Sequence, residues 1–126
     1  AGNEAAEVYR IGDGDAVAGA FTDNATWWVS GSLPVSGLYE GRAAIMADFF
    51  GPALELFQPG TFRLEPKSVI AEGNRVAVEW EGFAVSAGGR DYHQRYHMAF
   101  ELDDAGNIVA VREYNDTDYS RGVLFS

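Results

Sequence analysis

Cysteine is absent from the 126 residues, which removes disulfides, thiolate zinc sites, iron–sulfur clusters and a cysteine nucleophile together. The reducing cytoplasm suits such a chain. Basic residues are scarce: nine Lys plus Arg stand against nineteen Asp plus Glu, a formal charge of -10. That field opposes a phosphate backbone, so no nucleic-acid partner is expected. No uncharged run is long enough to span a bilayer, and Ala1 to Tyr9 has no basic segment leading into an apolar one. Neither a membrane partner nor an export signal is expected. Internal repeats, low-complexity tracts and linkers are also missing.

What the chain does have is apolar surface to bury. Hydrophobic residues make up 47% and aromatics 13%, with three Trp, six Tyr and eight Phe, far too much for a disordered acidic chain. The length suits one domain with a real core, spanning residues 1–126.

The layout is asymmetric. Asn3 can cap a short helix running toward Ile11, ended by Gly12-Asp13-Gly14, and Asp15 can cap a second through Val17 and Phe21. Asp23-Asn24 breaks the pattern, and Ala25-Thr26-Trp27-Trp28-Val29 predicts a first strand, closed by Ser30-Gly31-Ser32 and Pro34. From Arg42 to Phe57, Ile45, Met46, Phe49, Phe50, Leu54 and Phe57 form an apolar helical face that Gly51-Pro52 should kink or split. Four strands follow, about Thr61 to Glu72, Arg75 to Ser86, Arg90 to Leu102 and Asn107 to Asp116. Their connections, Glu72-Gly73-Asn74, Ala87-Gly88-Gly89 and Asp103 to Asn107, are short and rich in Gly, Asn and Asp, as hairpins require. The order predicts α+β architecture, with helices on one face of an antiparallel meander.

Side chains alternate between the faces of a strand, so parity sorts the candidates. Val76, Val78 and Trp80 share one face of the second long strand; Glu79, Glu81 and Phe83 share the other. In the third, Gln94, Tyr96 and Met98 oppose His93, Arg95 and His97. In the fourth, Glu113 and Asn115 oppose Arg112 and Tyr114. Both faces carry large apolar groups, so helices are expected over one and a second subunit over part of the other. A homodimer is expected through Val76, Val78, Trp80, Arg112 and Tyr114.

Several stretches together resemble a known superfamily: the Trp-rich first strand, Gly37 to Ile45 with its Gly-x-x-x-Gly-Arg-x-x-Ile spacing, Gly89-Arg90-Asp91-Tyr92 through Glu101, and Arg112 to Thr117. Nearly the whole chain is similar to the nuclear-transport-factor-2-like α+β barrels, and within them to the polyketide-cyclase-like (SnoaL-like) and ketosteroid-isomerase-like proteins, with limonene epoxide hydrolase as a relative. The resemblance implies a cone-shaped barrel, a curved antiparallel sheet with N-terminal helices covering a central cavity. From the epoxide hydrolase, it carries the base carboxylate to Glu81 and the acid carboxylate to Glu113. The bridging Arg falls on Glu79, a charge reversal, and the water-orienting Tyr and Asn fall near Trp27 and Val29. From the isomerase, the base falls near Val29 and the oxyanion-hole acid near Met98. Neither catalytic set is complete.

The expected inner wall therefore carries Glu79, Glu81 and Glu113 beside Trp27, Phe49, Phe50, Phe83, Gln94, Tyr96, Met98 and Asn115. Two carboxylates close together in an apolar cavity cannot both ionise cheaply, which makes a proton donor beside an acceptor. The opposing reading leaves Glu79 and Glu81 on a solvated face and pairs Glu113 with Arg42, Arg95 or Arg112. Which of Trp27 and Trp28 faces inward is open. His93 and His97 would stand about 13 Å apart on a strand, too far for one metal ion, so no metal or cofactor is expected. The leading expectation is a pocket for a small apolar organic ligand, with acid–base catalysis through Glu81 and Glu113. A non-catalytic binding or sequestering protein and a protein-interaction module are the alternatives.

Overall fold

The structure, a computed structural model, describes residues 18–126. Six strands, β1 (Phe21–Val29), β2 (Gly37–Glu40), β3 (Arg63–Glu72), β4 (Arg75–Val85), β5 (Asp91–Leu102) and β6 (Ile108–Asn115), form one sheet in the order β2-β1-β6-β5-β4-β3. The α+β barrel architecture is the expected one. The hairpins β3–β4, β4–β5 and β5–β6 follow from their turns; Gly73, for example, takes φ 57° in the two-residue connection before Arg75.

The sheet is mixed rather than wholly antiparallel, because β1 lies parallel to β6 while its other neighbour, β2, is antiparallel. A parallel neighbour needs a long crossover. Here the crossover carries β2, a helical run and β3 to β5. Register shifts at Phe21/Thr26, Pro66/Ser68 and Glu101/Leu102 bend the strands, as bulges do. The first shift explains Asp23-Asn24: the pair is an irregularity inside β1, which begins at Phe21 rather than Ala25. Pro66 falls on the edge strand β3, where its missing N–H interrupts no central ladder.

The predicted helix after Gly41 divides as expected near Gly51-Pro52. Arg42–Ala44 (α1) leads into a π-helical stretch, Ile45–Phe50, and then Gly51–Leu54 (α2). The Gly51 N–H reaches the Met46 carbonyl, one residue beyond the α-helical partner, and Pro52 lies in the first turn of α2, where it needs no donor. This register buries Ile45, Phe49 and Phe50 together. A terminal helix, Thr117–Leu124 (α3), was not expected. Asp116 caps it, its side chain accepting from the Tyr119 N–H at 3.2 Å. The predicted helix from Asn3 to Ile11 and the start of the second at Asp15 lie outside the described residues.

Register decides which faces meet. Val76 pairs with Phe100, Val78 with Met98 and Trp80 with Tyr96; Met98 and Tyr96 in turn oppose Glu113 and Asn115. All of these share the concave face. Val76, Val78 and Trp80, expected at an outer dimer contact, are instead core residues, 1%, 0% and 3% exposed. Arg112 and Tyr114 do lie on the outer face, where the Tyr114 ring meets Trp28 edge-on at 5.2 Å.

Candidate functional site

The concave face, α2, α3 and the loop after β1 enclose a cavity of about 80 Å³. Its wall is mostly apolar, including Val29, Leu33, Phe49, Phe50, Leu64 and Met98. The polar groups on it are Glu113, Asn115, Tyr92, Tyr96 and Ser120. Glu113 is the one carboxylate among the described lining residues, and no Lys, Arg or His lines the cavity with it.

Glu113 reaches this position because β6 places it opposite Val29 on one side and Met98 on the other. It is 7% exposed. The Trp27 indole N–H donates to its Oε1 at 3.3 Å, and the Asn115 amide Nδ2 donates to its Oε2 at 3.0 Å. Both donors are neutral. Burial pushes the carboxyl up to about 7, against these two hydrogen bonds, which favour the charged form. The cationic partners considered for it are engaged elsewhere: Arg42 with Asp23, Arg95 with Glu81 at 3.9 Å and Arg112 with Glu101 at 2.5 Å.

Glu79 and Glu81 do not join Glu113. Both lie on the opposite, outer face, because Glu81 pairs in register with Arg95 and Glu79 with His97. Glu81 contacts Lys67 Nζ at 3.1 Å and His93 Nε2 at 3.0 Å. Lys67 first, then His93, holds the Glu81 carboxyl below its usual range. Phe83 is on that face too, stacked on His93 at 4.4 Å with the Arg63 guanidinium over its ring. The convergence of Glu79 and Glu81 with Glu113 on one wall thus fails; the first two lie on the outer face, and the Arg pairing considered for Glu113 fails as well.

Of the other predicted wall residues, Phe49, Phe50, Tyr96, Met98 and Asn115 line the cavity. Trp27 is the inward member of its pair, fully buried behind Glu113 with its ring 5.2 Å from Phe49 and 5.1 Å from Phe50. Gln94 also stands behind the wall. The Asp116 N–H donates to its Oε1 at 3.3 Å and the Asp116 carbonyl accepts from its Nε2 at 2.7 Å, so the backbone fixes the amide orientation. Nε2 then donates to Ser120 Oγ at 2.8 Å, and Ser120 Oγ shares a hydrogen bond with the Tyr92 hydroxyl at 3.3 Å. Tyr92 and Tyr96 hydroxyls are 2.6 Å apart. Burial pushes the Tyr92 phenol up to about 12, so it stays protonated at any pH the fold meets. Sequence reasoning missed Tyr92 and Ser120; the Asp-Thr-Asp run at Asp116 is a helix-start signal that would have brought Ser120 toward the cavity.

A curved sheet wrapped around a polar-tipped apolar cavity defines the cone-shaped α+β barrel class. The chain belongs to the SnoaL-like domain family, whose model matches residues 4–111. Solved structures agree on the fold. TerC, co-crystallized with polyporic acid, is 20% identical with a TM-score of 0.85, covering 98% of this chain and 97% of its own. A nuclear-transport-factor-2-like protein of unknown function from Burkholderia pseudomallei is 18% identical at 0.83, covering 98% and 96%. A protein from a soil-derived mobile gene cassette is 26% identical at 0.78, covering 96% and 89%. No curated protein sequence matches the chain. Among the described residues no helix is long and apolar enough to cross a membrane.

Proposed function

We propose that the cavity binds a small, neutral, largely apolar organic molecule and that Glu113 alone moves a proton on it. The observation that carries this reading is the state of Glu113: buried, bonded among the described residues to two neutral donors, and pushed up to about 7. Such a carboxyl is divided between acid and base near neutrality, where general acid–base catalysis works best. Among the described lining residues none is a cation that would offset the charge of an anionic ligand. Membership of the SnoaL-like family, and the resemblance to polyketide-cyclase-like proteins, support a cyclase or isomerase type of reaction.

In that reading the Glu113 carboxylate takes a proton from carbon next to a carbonyl, the electron pair moves to the carbonyl oxygen, and the hydroxyl of the Tyr92–Tyr96 pair whose proton is not spent on the other supplies a hydrogen bond to that oxygen. The proton returns from Glu113 at a different position or after a new carbon–carbon bond has formed. Cyclohexanone in heavy water tests the first half. Exchange of its α-hydrogens, followed by NMR, should be catalysed, rise with pH through about 7, and fall by at least about 100-fold in Glu113→Gln. Exchange no faster than in buffer, or unchanged in the variant, would remove Glu113 from the mechanism. Saturable binding without any exchange would make the protein a carrier.

A further inference from the structure

Leu54, Phe57 and Phe62 line the inner cavity, and the same three residues line an open hollow of about 590 Å³ on the surface beyond it. Glu55, Gln58 and Ala87 complete much of the hollow. These three residues stand between the two spaces. Leu54 is 40% exposed although it reaches the inner wall, and the Phe57 and Phe62 rings sit 4.9 Å apart. The backbone behind them is held: the Gln58 N–H donates to the Val85 carbonyl and the Ala87 N–H to the Leu56 carbonyl, both at 2.8 Å.

Volume decides what the two spaces are for. Pockets that bury an organic ligand run to about 300–1,000 Å³. The inner cavity, at about 80 Å³, is well below that and cannot hold such a ligand alone, whereas the hollow, at about 590 Å³, has the room but lies open on the surface. We infer that they are the head and tail chambers of one site, whose ligand is an elongated neutral molecule. Its hydroxyl or carbonyl head sits beside Glu113, and its apolar tail runs out over Leu54, Phe57 and Phe62. The position of the head rests on the reading of Glu113 given above; the tail chamber does not. Glu55 on the rim disfavours a tail that ends in an anion.

A series of 4-alkylphenols, from 4-methylphenol through 4-butylphenol to 4-octylphenol, tests this by calorimetric titration. The wild-type Kd should fall roughly fourfold with each added methylene until the hollow is filled. In Ala87→Trp, which places a ring in the hollow, the fall should stop at a shorter chain. Gln58→Trp blocks the same space, should Ala87→Trp melt early. A Kd independent of chain length, no saturable binding of any member, or a series unchanged by both blocking variants would overturn the inference and leave the hollow to another occupant, such as a protein segment. The head is tested separately. If 4-methylphenol binds with the same pH dependence in the wild type and in Glu113→Gln, the reading of Glu113 fails while the chain-length result still stands on its own.

Discussion

The Trp27 indole N–H donates to Glu113 Oε1 at 3.3 Å between two parallel strands, so β1 helps to set the proton affinity of an acid on β6. The bond favours the carboxylate and opposes burial. Trp27→Phe removes the donor and keeps most of the ring contact with Phe49 and Phe50. The Glu113 titration, followed by carboxyl 13C shifts, should then move above about 7, by roughly half a unit to one unit. A downward shift would show that the indole does not stabilise the charge.

Glu113 also imposes a pH dependence on the fold. Its carboxyl is raised from 4.5 to about 7 on folding, so between those values the native chain holds a proton that the unfolded chain has released. Stability therefore falls as pH rises through that window, by roughly 3 kcal/mol in all. Glu113→Gln escapes this loss. It should be more stable than the wild type at pH 8, with the advantage shrinking toward pH 5, as thermal melts at the two values would read.

Gln94 joins β5 to the start of α3 through both backbone groups of Asp116 and through Ser120. Gln94→Leu would remove these bonds and leave the buried Ser120 hydroxyl without its amide donor. A loss of about 2–4 kcal/mol in urea unfolding is expected, together with weaker ligand binding as Ser120 and Tyr92 lose their orientation. Full stability in this variant would mean that α3 is held by its apolar contacts alone.

Gly82 is required by Tyr96. A Cβ at residue 82 would stand 2.7 Å from Tyr96 Cε2 and 3.2 Å from Leu64 Cδ2, so the ring would have to shift. Gly82→Ala should cost about 1–3 kcal/mol and displace Tyr96 from Tyr92, seen as altered ring resonances of both in NMR spectra. Unchanged resonances would show that the neighbourhood absorbs the methyl group.

The meander was legible because its hairpins are written in local chemistry: Gly73-Asn74, Ala87-Gly88-Gly89 and Asp103 to Asn107 sit where the turns fall. Parity within each strand was legible for the same reason. How parity passes from one strand to the next was misjudged at β4, and that inverted the placement of Glu79, Glu81 and Phe83 against Val76, Val78 and Trp80. The signal lies in the turn. A three-residue connection sets Ser86 beside Arg90, and the Ser86 N–H does bond the Arg90 carbonyl at 2.8 Å; counting back from there puts Trp80 opposite Tyr96. One residue more or less would have exchanged the faces. β2 and the parallel pairing of β1 with β6 depend on contacts between distant segments, for which no local residue pattern speaks. Glu113 was reached through the epoxide-hydrolase resemblance and by its parity with Asn115 on β6, and it does line the cavity with Asn115; the isolation that raises its proton affinity became visible only once its neighbours were placed.

The parallel pairing of β1 with β6 has a consequence in time. Trp27 and Glu113 are separated by most of the described chain, so they can meet only through one of the longest loop closures that the molecule makes. A chain still emerging from the ribosome, with β6 not yet released, holds the apolar walls of the pocket but no acid in it. Glu113 thus joins the pocket late, and a molecule that stops short of the last strand leaves the wall without that carboxylate.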